Sequence, residues 1–240
     1  MKFALLAAAG AAIALSGCQK ADDAAFGKRV HDYLMAHPEV IQQAAQKLQE
    51  KQAAEAAKAS TDAISKYRAQ LERDPRDAVL NPNGKITVVE FFDYRCGYCK
   101  LAAPEVVKLV EQNPDVRVVF KQFPIFGEVS DTAAKIALTP AAKAKALPLY
   151  KSWMAEKALD EALVDRDLAA VGIDPAQARK AAADPAIERQ ILDTRALATA
   201  LKIEGTPAFI VGDTLIPGAD LDALRRAVKI ARDGGLKTPS

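Results

Sequence analysis

The 240-residue chain is poor in cysteine and histidine, with three of the first and two of the second. That excludes a disulfide-stapled scaffold, so each cysteine must be explained singly. It also leaves little for structural zinc, which takes four soft or imidazole ligands. Charge of one sign is lacking too, since 33 Lys and Arg stand against 31 Asp and Glu, a net +2. Without a basic field nothing asks for nucleic acid, and no nucleic-acid partner is expected. Long apolar runs are confined to the start. Phe3 to Leu15, after Lys2, has the roughly 13-residue length of an export-signal core, short of the ~20 a membrane helix needs.

What is present is enough for a real core, half the residues being apolar. Residues 1–17 read as a signal peptide, which puts the mature chain in a disulfide-permissive compartment, the periplasm. Leu15-Ser16-Gly17-Cys18 resembles the bacterial lipoprotein signal. That resemblance implies lipid on Cys18, and Gln19 in place of Asp is compatible with outer-membrane sorting. The alternative is an ordinary signal cut after Ala21.

Residues 18–76 read as a helical extension rich in Ala, Gln, Glu and Lys, with no Gly between Lys28 and Arg76. A first helix is expected to end near His37, and a longer one to run from Pro38 towards Leu71. Ala53, Ala57, Ser60, Ile64, Tyr67 and Leu71 follow the four–three spacing of a coiled-coil seam, favouring contact with a partner helix. Packing on the chain's own domain is the plain alternative. Asp74-Pro75 and Asn81-Pro82-Asn83-Gly84 then break the pattern. Residues 84–236 change style to α/β. Strands are expected at Lys85–Phe92 and from Val116 towards Phe123, with a helix at Lys100–Glu111. A helical insert follows at about 130–202, then a hairpin over Ala208–Ile216 turning at Gly212-Asp213, and a last helix capped by Asp220.

Cys96-Gly97-Tyr98-Cys99 falls at the strand-to-helix turn. The first sulfur there meets the unpaired amides and positive end of the helix, which favours thiolate over thiol. In such motifs the pKa falls from about 8.5 to roughly 3.5–7.5. Cys96 is therefore the expected nucleophile and Cys99 the resolver of the mixed disulfide. Two soft thiolates are also a donor pair for Cu(I), the one metal reading kept open. No cofactor is expected.

Val89-Glu90-Phe91-Phe92-Asp93-Tyr94-Arg95 and the Cys96–Cys99 motif together resemble the active-site run of DsbA-like thioredoxin-fold proteins, and Gly205-Thr206-Pro207-Ala208-Phe209 their second signature. The resemblance implies a thioredoxin-like fold with a DsbA-type helical insertion. It implies a cis bond at Pro207, a Thr206 backbone free to pair with substrate, and a role for Glu90 in proton transfer at the resolving thiol. Gly97 and Tyr98 would meet substrate, and Tyr94 and Tyr98 could form an apolar rim. Pro104 matches a helix-kinking proline. The Gly-Tyr dipeptide departs from Pro-His of DsbA itself, so an equal oxidising power does not carry over.

The helical extension resembles the ScsC branch (suppressor of copper sensitivity). That implies a homo-oligomer, trimer before dimer, and disulfide isomerase work on unfolded or misdisulfided exported proteins. A membrane thiol reductase or oxidase would keep the cysteines active. The rivals are a DsbA-type dithiol oxidase and a copper-binding lipoprotein.

Overall fold

The structure, a computed structural model, describes residues 18–234. The signal expected at 1–17 lies outside the described residues, as does the side chain of Cys18 where lipid is expected. The chain forms two compact units, one up to Ala56 and one from Ala57 onward.

The first unit holds α1 (Cys18–Ala36) and the start of α2 (Glu39–Glu72). The His37 N–H donates to the Tyr33 carbonyl to close α1, and Pro38, which has no N–H to give, stands just before α2. Phe26, Tyr33, Met35, Ile41 and Leu48 of this unit are all exposed.

In the second unit a five-stranded mixed sheet runs β1-β3-β2-β4-β5. Its strands are β1 (Ala78–Leu80), β2 (Ile86–Phe92), β3 (Val116–Gln122), β4 (Ala208–Val211) and β5 (Thr214–Pro217). β2 and β3 are parallel and joined by α3 (Gly97–Gln112), while every other pairing is antiparallel. Between β3 and β4 comes the helical insert. It comprises α4 (Glu128–Ala137), α5 (Pro140–Lys143), α6 (Ala146–Ala155), α7 (Glu161–Ala170), α8 (Pro175–Ala182) and α9 (Pro185–Ala200), and α10 (Leu221–Arg232) ends the fold. Asp160, Asp174, Asp184 and Asp220 cap four of these helices through side-chain acceptors. Gly84 has no room for a side chain, since a Cβ there would lie 2.6 Å from backbone atoms of Val116 and Arg117. That close approach brings the start of β2 against β3.

Alternation along β2 divides the core. Val88 and Phe92 pack with Phe120, Phe209, α3, α6 and α10 on one face. Val89 and Phe91 pack with Val119, Ile210, Leu197 and Leu201 on the other. Ile64 and Leu71 of α2 are fully buried in this second layer, with Tyr67 against it. The last turns of the coiled-coil-like spacing are therefore covered by the chain's own sheet, the plainer of the two expectations. Ala53 and Ala57, earlier in the spacing, are exposed. Arg68 reaches Asp213 and the Gly212 carbonyl, and the buried Lys121 ammonium donates to the Gln70 carbonyl and to Asp77. The sheet unit thus draws on residues ahead of 84. β1, which lies where the sequence reads as a break, pairs along β3.

Candidate active site

Cys96 is the N-cap of α3, and its sulfur accepts from the Cys99 backbone N–H at 3.4 Å. An N-cap with extended backbone turns its side chain back over the first-turn amides. The local sequence favours that geometry because β2 ends at Phe92 and the Cys96 N–H donates to the Asp93 carbonyl, closing a turn. Pro104 lies inside α3, two turns on.

The Cys96 side faces the loop before β4. The Thr206–Pro207 bond is cis, and the Cys96 sulfur lies 3.2 Å from the Thr206 carbonyl oxygen. Pro207 is buried and the Thr206 hydroxyl is a buried oxygen without a partner. An open cleft of about 240 Å³ flanks this loop, lined by Glu204, Thr206, Pro207, Leu215 and Pro217. Larger cavities of about 380 Å³ beside Tyr67 and 980 Å³ beside Pro140 touch neither cysteine.

The two thiols are free and unlike each other. Cys96 is lowered to about 6, chiefly by the Cys99 thiol donating to its sulfur, with the Cys99 and Tyr98 backbone N–H groups adding and burial opposing. Cys99 is fully buried, and that burial pushes its thiol far above the ordinary range, as do its bond to Cys96 and the charge of Glu90. One sulfur is an anion at neutral pH and the other holds its proton. Such a pair can attack a disulfide with the first sulfur and keep the second in reserve. Among the described residues no cluster of three or more Cys, His, Asp or Glu side chains is arranged to hold a metal.

Glu90, on β2, is 0% exposed, and burial raises its carboxyl to about 8. Gly97 and Tyr98 are exposed, Tyr98 at 66%, and Leu101, Ile125 and Phe126 add exposed apolar surface. Tyr94 differs from the expected rim. It is buried, its ring edge-on to Trp153 at 4.8 Å and to Phe92 at 5.0 Å.

Two residues at the site escape sequence reasoning. Asp93 is buried and accepts four hydrogen bonds. They come from the Arg95, Ile125 and Phe126 N–H groups and the Ser130 hydroxyl, at 2.7, 2.7, 3.1 and 2.8 Å. It ties the cysteine turn to the loop after β3, and Arg95 donates back to the Phe126 carbonyl at 2.8 Å. Its one sequence signal is a carboxylate between aromatics at the end of a buried strand. Tyr150, on α6, lies sixty positions from Glu90, and no local pattern marks it.

The profile of the DSBA-like thioredoxin domain matches residues 87–229, and that of the copper resistance protein ScsC N-terminal domain matches residues 22–55. The thiol:disulfide interchange protein DsbA of Bordetella pertussis is 30% identical over 135 residues, 54% of this chain and 64% of that protein. The chain spans less than two thirds of the curated relatives it matches. Among solved structures, BcfH of Salmonella enterica Typhimurium aligns with a TM-score of 0.70 and 32% identity, over 89% of this chain and 97% of that one. A linker-deletion mutant of Proteus mirabilis ScsC aligns with a TM-score of 0.66 and 28% identity, over 93% of this chain and 100% of that one.

Proposed function

The chain belongs to the DSBA-like thioredoxin family of thiol–disulfide oxidoreductases, and from that premise we propose that it is a periplasmic disulfide isomerase. The reading is carried by one observation, the pairing of a thiolate-forming Cys96 at a helix N-terminus with a buried, protonated Cys99 beside the Thr206–Pro207 loop. In isomerisation the Cys96 thiolate attacks a wrong substrate disulfide, forming a mixed disulfide and releasing one substrate sulfur as thiolate. That sulfur can then attack elsewhere in the substrate. If the complex stalls, Cys99 gives up its proton and attacks Cys96, which releases the substrate reduced and leaves Cys96–Cys99 oxidised. A membrane thiol reductase would restore the dithiol. The Thr206 backbone would pair with an extended substrate segment, with Tyr98 and Gly97 against it.

The first unit supports the isomerase rather than the oxidase half of the reading. Its exposed Phe26, Tyr33, Ile41 and Leu48 are suited to joining copies, a trimer before a dimer. Several domains on one hub would raise the effective concentration of cysteines around a misfolded chain. Lipid on Cys18 would hold the assembly at the outer membrane, and mass spectrometry of the mature N-terminus tests this.

A specific observation favours dithiol oxidation as the second reading. A depressed Cys96 pKa stabilises the reduced protein and so makes the disulfide a stronger oxidant. A reduction potential near about −120 mV would favour the oxidase, and one well below it the isomerase. The main test uses scrambled substrate. Cys96→Ser should abolish reshuffling and Cys99→Ser should trap mixed disulfides. A chain starting at Ala57 should lose oligomer and isomerase activity while keeping dithiol exchange. The cut is placed there because Ile64 and Leu71 belong to the sheet core. Reshuffling by the Cys96 mutant, or full isomerase activity in a monomeric mature chain, would refute the proposal.

A further inference from the structure

Glu90 sits within the sheet, with Phe120 and Phe209 as its register partners on the two neighbouring strands. Its face of the sheet is otherwise lined by apolar side chains, Val88 and Phe92 from its own strand and Leu224, Ala227 and Val228 from α10. Isolating an ionised carboxylate in such a place is costly unless something donates to it. The donor is Tyr150. Its hydroxyl lies 3.1 Å from Oε1 and 3.2 Å from Oε2 of Glu90, and the residue is itself fully buried. The phenol ring is clamped, stacked on Phe120 at 4.7 Å and edge-on to Phe92 at 5.3 Å. Tyr150 belongs to α6 of the helical insert, a layer that the exchange chemistry of the two sulfurs does not itself require.

We propose that Tyr150 is a positioning residue for the redox step, its hydroxyl holding the Glu90 carboxylate in place to take the proton of Cys99. This rests on the reading of Glu90 as the acid–base group of the resolving thiol. In the step, the Cys99 thiol passes its proton to the Glu90 carboxylate. The resulting thiolate forms a bond to the Cys96 sulfur, the Cys96–substrate bond breaks, and the substrate leaves as a thiolate that is protonated by water. Tyr150 keeps its own proton throughout. The helical insert thereby enters the chemistry of the two cysteines through the Tyr150 hydroxyl.

Electrostatics agree with the geometry. Burial raises Glu90, the Tyr150 hydrogen bond pulls it back, and a charge on Cys96 raises it. The titratable groups facing Glu90 are Tyr150 from α6, Cys96 and Cys99 from the α3 turn, and Tyr94 from the segment after β2. The sheet neighbours and α10 supply none. Tyr150 and Tyr94 are themselves pushed upward by burial, so both stay neutral through the working range. Removing the hydroxyl should therefore leave Glu90 harder to ionise, and the carboxylate scarcer at a given pH.

The experiment is single-turnover release of a peptide thiol from the full chain, followed by stopped flow from pH 5 to 9. Tyr150→Phe keeps the ring and its stacking. It should move the midpoint of the resolving step upward by about one unit, the size of one hydrogen bond to a charged acceptor, and slow release about tenfold below the midpoint. Site-specific 3-fluorotyrosine at 150, a stronger donor of the same shape, should move it downward, and this variant decides the matter if the Phe mutant folds poorly. Glu90→Gln should abolish the transition, and Tyr150→Phe added to it should change nothing further. A midpoint unmoved by both position-150 variants, with Glu90→Gln still abolishing it, overturns the role of Tyr150 alone. A uniform slowing at every pH means packing and overturns it equally. An unaltered profile in Glu90→Gln removes the reading of Glu90, and that of Tyr150 with it.

Discussion

Protonation of Cys96 should be readable over the acid range, where an ordinary thiol is silent. With a pKa of about 6, about nine-tenths of Cys96 is thiolate at pH 7 and roughly one-tenth at pH 5, against about 1% and 0.01% for a thiol at its reference of 9. Thiolate basicity works the other way. With a Brønsted slope of about 0.45, a fall of three units costs about 20-fold in intrinsic nucleophilicity. Cys96 should then exceed a reference thiol by only about fourfold at pH 7 but by about 40-fold at pH 5. Because the folded pKa is depressed, the thiolate stabilises the reduced fold above the unfolded pKa, and this is lost as pH falls through 6. At pH 7 it amounts to about 1.4 kcal/mol, present in the dithiol and absent from the disulfide form. The assay is reaction of the reduced protein with dithiodipyridine from pH 4 to 9, with Cys99→Ala measured alongside. The wild-type midpoint is expected near 6. In Cys99→Ala it should rise, because donation from the Cys99 thiol is the largest stabilising contact. A wild-type midpoint above 8, or one unchanged by loss of Cys99, would refute the reasoning.

Three further perturbations test the packing of the sheet unit. Asp93→Ala leaves the Arg95, Ile125 and Phe126 N–H groups without their acceptor; it should cost about 3 kcal/mol in urea unfolding and loosen the loop after β3 in hydrogen exchange. Ile64→Ala or Leu71→Ala should each destabilise the sheet unit by about 3 kcal/mol, whereas Leu48→Ala, exposed in the first unit, should leave its unfolding midpoint unchanged. Lys121→Met takes the ammonium from Asp77 and leaves it the Gln190 amide, while burial already pushes its carboxyl upward. A carboxyl whose folded pKa is raised loses stability as pH rises, so this mutant should be more destabilised at pH 8 than at pH 5, by thermal unfolding.

The catalytic motif could be read locally because its geometry is local. A β-branched and aromatic strand, a turn and a C-x-x-C helix start need only a dozen consecutive residues, and an N-cap cysteine follows from them. The hairpin turning at Gly212 was legible for the same reason, the turn being set by two residues with Gly212 at φ 58. The helix break at Pro38 likewise depends on one ring.

Other features were decided only when distant segments met. Periodicity states that a helix has an apolar stripe but not what covers it, so Ile64 and Leu71 fit a partner helix as well as their own sheet until the second core layer closed over them. Tyr94 is rim or core according to whether Trp153, fifty-nine positions later, packs against it. β1 was invisible because three residues between two turn-forming stretches carry no period, and only β3 beside them makes a strand. Asp93 and Glu90 are both carboxylates in one buried run, and their sequence neighbours do not tell them apart. One became an acceptor of four hydrogen bonds, from its own turn, the loop after β3 and α4, and the other a carboxyl with a tyrosine donor, because the loop after β3 and the start of the insert fold over the first and α6 over the second. A buried polar group takes its character from the partners that desolvate and satisfy it, and those partners arrive through tertiary structure.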